Sequence, residues 1–452
     1  MLAIDTLRRW LYTLLVLFYM GNLFLDSPHL ACITGGIAIL CLPLSYPGSI
    51  RTFQAVSLVF LTVGLILFIT SGMSWTQFPT FFTSTGLILS LLYMLPWINN
   101  LITVGRYEQH LGRLLKNGTR HLASLYRRTS LVSYVLCIFL FFASIPLVHR
   151  VLQKPLSGLQ ESLRHRFASE SILRAFSIAT VWSPVEVFIV VASGATGVAY
   201  PELLPYLLLF SVVMLAIDWL LAQRYRKHSL KPAVTPTPGG ATARPGKLLQ
   251  LIAALFLLIG MSNLLTDWLS IDFFAAITLF ILPFCLIWAL LIRRGKAYWK
   301  YSLLAWKKQV PGLHNLALLF LSLGFFNRMV EETDILSYLQ GPLLSLAETP
   351  VLLFVLIQLS AILLALVGFH PLVTLGLQGL LLQPLLDTLN PLSLAVLLLT
   401  ANLASDASGT YNTTVAMMTQ LTRESPYRIT RWNIGFALLY SSVGTAFALW
   451  LL

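Results

Sequence analysis

Charge is what this 452-residue chain lacks most: Asp, Glu, Lys and Arg together make up 10% of it, against about 25% in a soluble domain. That scarcity excludes an ordinary water-soluble surface. Cysteine is sparse too. Cys32, Cys41, Cys137 and Cys285 all lie inside apolar runs without metal-ligand spacing, so no structural metal is expected and the thiols read as small buried hydrophobes. The sequence has no glycine-rich phosphate loop and no His-Glu-x-x-His. Long loops are also missing, which leaves little room for a catalytic domain. These absences argue against an enzyme and against an organic cofactor. ATP would have to act through a partner.

What is present is apolar. Hydrophobic residues make up 57% of the chain and the mean hydropathy is +0.80. A run of about 20 apolar residues crosses the hydrocarbon core as a helix, and only helices or closed barrels satisfy their backbone there. The runs are continuous and Leu-rich rather than alternating, which selects helices. The expected fold is an all-α polytopic membrane protein of about ten to twelve transmembrane helices, in two repeated halves with broken or re-entrant helices. Expected spans are 10–25, 30–45, 53–71, 80–98, 130–149 and 202–222, then 248–266, 273–292, 313–330, 350–368 and 433–452. Three apolar stretches, 170–198, 371–386 and 391–421, are irregular. Arg8 and Arg9 precede Trp10–Leu25 with no small-residue cleavage site, so a retained first span is expected. The sequons at Asn117 and Asn412 read as chance matches.

The net charge of +13 does not point to nucleic acid, because the basic residues flank spans, as cytoplasmic loops of membrane proteins do. Arg106–Arg128, residues 223–247 and residues 293–308 are therefore expected in the cytoplasm, with Asp26, Asp267, Asp272 and Glu331-Glu332 outside. On that map both halves have the same orientation and 170–198 is a re-entrant hairpin. The helix Glu161–Arg174, with Arg164, His165, Arg166 and Arg174, reads as lying on the membrane surface.

Residues 223–247 hold Lys231-Pro232, Thr235-Pro236-Thr237-Pro238 and Gly239-Gly240, the composition of a flexible linker. It divides the chain into a first half (1–222) and a second half (248–452). Two correspondences link them. Met20-Gly-Asn22-Leu23-Phe-Leu-Asp26 matches Met261-Ser-Asn263-Leu264-Leu-Thr-Asp267 in register. Late in each half a helix-breaking polar patch interrupts apolar sequence, the signature of a secondary transporter's binding site.

The second-half patch runs Asn402, Ser405, Asp406, Ser408, Gly409, Thr410, Asn412, Thr413 and Thr414. Such polarity at membrane depth is costly unless it faces water, an ion or a ligand. Gly409 would let the backbone leave the helix. Hydroxyls, carbonyls and one carboxylate are hard oxygen ligands suited to sodium, and a half-helix N-terminus holds an anion. The alternative is a solvated loop between short spans. The first-half patch is Thr180, Ser183, Pro184, Glu186, Ser193, Gly194, Thr196 and Gly197. Pro184 removes a backbone donor, and Glu186 among Val, Phe and Ile needs a cation, a proton or a wet cavity. Alternatively, Ser183-Pro184 is a helix N-cap and Glu186 a first-turn acid. His370-Pro371 is a further candidate, either an anion or proton site or an interfacial helix end.

In pattern, Thr180–Gly197 and Asn402–Thr414 resemble the ion-transporter superfamily of sodium/dicarboxylate symporters, citrate–metal symporters and arsenite-efflux permeases. In that family each half has a re-entrant hairpin and a broken helix with Ser, Asn, Thr, Gly and Pro at the tips. The family's Ser-Asn-Thr signature does not occur here; Asn402 with Ser405, and Asn412 with Thr413, are approximate counterparts. The resemblance implies an elevator-type carrier of small anions, often a homodimer. The function expected is secondary active transport of a small anionic solute, coupled to sodium or protons by alternating access, with membrane lipid as the other partner. A rival reading is a lipid-handling flippase or transferase whose segments 106–128 and 161–174 grip anionic headgroups. A third is an accessory subunit. The expected location is a bacterial plasma membrane.

Overall fold

With so little charge and no water to satisfy backbone groups in hydrocarbon, the chain resolves into helices: the regular elements among the described residues are all helical. The computed structural model describes residues 2–107, 121–228, 246–333, 338 and 344–452. Most of the basic segment after Arg106, with Asn117, and most of the 223–247 linker lie outside the described residues. Eleven segments among those described are long and apolar enough to cross a membrane. The chain is an integral multi-pass membrane protein.

Contacts divide the chain into two units, each drawing on sequence from both sides of the linker: Met1–Gly105 with Leu258–Leu344, and Arg106–Leu257 with Ser345–Leu452. The first unit contains α1 (Leu2–Leu25), α2 (Pro28–Ser45), α3 (Arg51–Thr70), α4 (Gly86–Val104), the second half of α10 (Gly246–Leu269 as a whole), α11 (Phe273–Leu291), α12 (Gly295–Gln309) and α13 (His314–Glu331). Small residues set its packing, as expected where lipid removes the hydrophobic drive between helices. A Cβ on Gly35 would overlap the Pro79 carbonyl, and one on Gly64 would meet the Phe325 ring. Ser57 and Thr85 donate to the backbone of α13 at Leu318 and Phe320. Phe325 stacks on Phe82 with ring centroids 4.3 Å apart. Leu58, Val59, Val63, Ile66 and Ile69 on α3 are exposed, a face suited to lipid.

The second unit contains α5 (Leu122–Leu140), α6 (Ser144–Leu152), α7 (Glu161–Thr180), α8 (Val187–Thr196) and α9 (Tyr200–Leu221). It also holds α14 (Pro350–Val367), α15 (Pro371–Leu382), α16 (Pro391–Leu403), α17 (Ser405–Ser408), α18 (Thr413–Thr422) and α19 (Pro426–Trp450). Its contacts come in matched pairs. Helices α5 and α6 pack on each other as a hairpin, and so do α14 and α15. α6 packs on α18 as α15 packs on α8; α7 packs on α18 as α16 packs on α8; α9 packs on α16 as α19 packs on α7. Each N-terminal half of a broken helix thus lies beside the C-terminal half of the other, so the two broken helices run antiparallel.

Four expectations change here. The stretch 130–149 is not one span: it breaks at Phe141–Ala143, where Phe141 has φ 49°. The stretch 170–198 is not a hairpin, because α7 and α8 do not pack side by side as α5 and α6 do. Within the second unit the two element sets run oppositely rather than in the same orientation. Glu161–Arg174 is no surface helix: it opens α7, and Phe167 through Thr180 are buried. Charge at helical spacing in α7 concealed that burial, because Glu170 and Arg174 pair both with each other and with residues from elsewhere in the second unit.

Candidate functional site

The first break follows from Pro184, which has no amide hydrogen to continue α7. The chain turns through Ser183, whose N–H donates to the Thr180 carbonyl at 3.1 Å, and the Glu186 N–H donates back to Ser183 at 3.0 Å. Glu186 itself, not Ser183, is the N-cap of α8, and its carboxylate takes a long 3.5 Å bond from the Phe188 N–H. Its second oxygen, Oε2, is buried without a partner. Thr180 is spent on its own helix, donating to Phe176 and Ser177.

The second break is more polar. After α16 and the single turn of α17, the chain runs extended at Gly409 and re-enters helix at Asn412, whose side chain caps Thr413 N–H at 2.7 Å. Asn412 Nδ2 also donates to Asp406 at 2.7 Å, and Thr414 Oγ1 donates to the Asp406 carbonyl. Gly409 has φ −64°, which any residue adopts. Glycine is needed there for space, since a Cβ would sit 3.0 Å from the Ser405 carbonyl oxygen and 3.2 Å from Asn412 Cβ. Ser405 donates to the Asn402 carbonyl at 2.6 Å, and Thr410 pairs with Thr430 at 3.2 Å. Ser408 is buried, and Thr413 is exposed.

Packing brings the breaks together. Helix α17 lies on α7, and α16 on α8. Glu186 and Asp406 are both buried at these breaks, as is Cys137 near the end of α5. The hairpins close around them. At the α14–α15 tip, Gly368 (φ 111°) would place a Cβ 3.3 Å from the Tyr411 ring, while His370 caps Leu372 N–H at 3.3 Å. At the α5–α6 tip, Phe142 stacks on Phe176 in the last turn of α7.

A string of amides links α14, α15 and α16. Gln378 donates to Ser360 at 2.9 Å, Asn402 donates to Gln378 at 2.8 Å, and Gln358 donates to Thr400 at 3.1 Å. Gln358 Oε1, Thr374 Oγ1 and Asn402 Oδ1 remain buried without partners. Buried oxygens left unpaired in a cluster call for an ion or ordered water.

The structure therefore gathers Ser183, Pro184, Glu186, Asn402, Ser405, Asp406, Ser408, Gly409, Thr410 and Asn412 around the two breaks. Thr196 and Gly197 end α8, about 15 Å along its axis from Glu186. Thr196 is bonded back to Ala192, and Gly197 has φ 72°. They form a left-handed helix terminus and do not join the cluster. His370 belongs to a hairpin tip, as its N-cap. Gln358, Thr374, Gln378 and Cys137 were not anticipated, although a lone Gln in a Leu-rich span is a signal in its own right. Nor was the charge network farther along α7. The fully buried Glu170 accepts from Arg166 at 2.9 Å, from Tyr225 at 2.6 Å and from Arg224, and pairs with Arg174 at 3.3 Å. Arg174 also donates to Asn433 at 3.0 Å and faces Asp218 at 3.7 Å.

No protein-family model matches the chain, and no curated protein matches it by sequence. Among solved structures it is similar to the YdaH transporter of Alcanivorax borkumensis, described as having an unusual topology. The TM-score is 0.64 at 12% identity, and the match covers 88% of this chain and 97% of that one. At this identity the likeness is one of fold alone.

Proposed function

We propose that the chain is a secondary active transporter of a small anionic solute, coupled to sodium or protons and working by alternating access. One observation carries this reading: two antiparallel broken helices each bury a carboxylate at the break, Glu186 and Asp406, among unpartnered buried oxygens. Two carboxylates in such surroundings need a shared proton or a cation between them. The unpartnered Asn402 Oδ1 and the hydroxyls of the second break complete an oxygen-rich cation site. The N-termini of the half-helices α8 and α18 point toward the breaks, where their amides favour an anion. The matched contacts of the second unit support reading it as an inverted repeat, with the solute held between the repeats. The same arrangement supports kinship with the ion-transporter superfamily.

Thermal unfolding of the purified protein in detergent tests this directly. A panel of small carboxylates and oxyanions is measured in sodium, potassium or choline, across pH. A ligand of the folded state raises the unfolding temperature by mass action. One anion whose shift depends on sodium or on pH, and is lost in Asp406→Asn, identifies the solute class. A panel with no such anion counts against the proposal.

A further inference from the structure

A second polar concavity lies at the opposite end of α7 from its break. The last turn of α6, the first turns of α7 and the end of α18 flank an open cavity of about 460 Å³, within the usual size of small-ligand sites. His149, Arg150, Gln153, Arg164, His165 and Arg423 line it. Arg164 is about 24 Å along α7 from Thr180, and Arg423 about 15 Å along α18 from Thr413, so this cavity is separate from the cluster of carboxylates.

We propose that this cavity binds a phosphate group, carried by a small soluble phosphate or by a phospholipid headgroup. Three guanidinium groups face one lining carboxylate, Glu161, which is 75% exposed and lies 3.7 Å from Arg164. The nearby Glu424 is already engaged by His165 and Arg428, each at 3.0 Å. Arg150 and Arg423 have no side-chain partner among the described residues, and Arg164 Nε is buried without one. Helix dipoles explain part of this. C-termini attract cations, which accounts for Arg150 on α6 and Arg423 on α18, but Arg164 and His165 sit near the N-terminus of α7, where a cation is disfavoured. An anion in the cavity resolves both. Guanidinium forks match phosphate oxygens bidentately.

Arg423 caps α18 with φ 59° and ψ 18°, a left-handed conformation that glycine or asparagine adopts at far lower cost.

The test is thermal unfolding of the full chain in detergent at constant ionic strength. The additions are inorganic phosphate, short-chain phosphatidylglycerol or, as control, short-chain phosphatidylcholine. The proposal expects phosphate or phosphatidylglycerol to raise the unfolding temperature by a few degrees, with phosphatidylcholine inert. Arg150→Gln and Arg423→Asn each weaken the apparent affinity about tenfold or more, the loss of one charge-assisted contact. Unliganded Arg423→Asn unfolds no earlier than the parent, because asparagine tolerates the left-handed turn. A shift with both ligands marks a site open to soluble phosphate; a shift with phosphatidylglycerol alone, lost in the two variants, marks a headgroup site. Asp406→Asn keeps the shift in either case. No shift with either ligand overturns the proposal, as does a shift that survives both arginine variants or disappears only in Asp406→Asn.

Discussion

On the proposed function, Asp406→Asn should separate ion coupling from architecture. The replacement preserves the shape of the side chain and leaves an oxygen to accept the 2.7 Å bond from Asn412. The helix break is therefore retained. What weakens is the charged character of that bond, worth about 1 kcal/mol, so unfolding should shift by a few degrees at most. The effect on a bound cation is much larger. Two unit charges about 4 Å apart attract by about 4 kcal/mol at an effective dielectric near 20, roughly a thousandfold in affinity. In proteoliposomes, gradient-driven uptake of the solute should fall to background while the protein still elutes as a folded species. Glu186→Gln should act on the same step, and the double variant should be no worse than the more damaging single one, since the proposed function has both groups serve one site. Gradient-driven uptake that persists in Asp406→Asn would refute the argument that the paired carboxylates hold the coupling ion.

Arg174→Met should be among the most destabilising changes in the chain, by about 3–5 kcal/mol. It leaves Asp218 buried without its counter-charge and takes one of three guanidinium partners from Glu170, and the check is the unfolding temperature in detergent. Gly444→Ala should cost about 1–3 kcal/mol, because its Cβ would lie 2.2 Å from Thr400 Oγ1 on the buried helix α16; Thr400→Ala beside it should recover part of the loss. The Glu424 carboxyl is held below its usual range: burial pushes it up, but the His165 hydrogen bond and Arg428 outweigh that. A depressed carboxyl contributes stability above its unfolded-state value and loses it as pH falls. Stability of the parent should therefore decline below about pH 4.5, and Glu424→Gln should flatten that part of the profile.

The sequence by itself determined the membrane class and the places where helices cannot continue. Apolar runs of spanning length leave the backbone no choice but helix. A proline such as Pro184 removes a donor wherever it sits, and the density of polar residues from Asn402 to Thr414 marks an interruption in any fold. These are local properties, and local physics reads them. The hairpin tip at Phe141–Ala143 escaped because it is made of apolar residues, and only the φ of 49° at Phe141 reveals it. Burial of Glu161–Arg174 escaped because charges at helical spacing look solvated until Arg224, Tyr225, Asn433 and Asp218 arrive from elsewhere in the chain. The reason for Gly409 also changed, from backbone freedom to the space between Ser405 and Asn412. Which break faces which, and in what direction, was decided only by tertiary packing. Glu186 and Asp406 are 220 residues apart in sequence, and neither periodicity nor composition carries information about a contact made by two helices running in opposite directions.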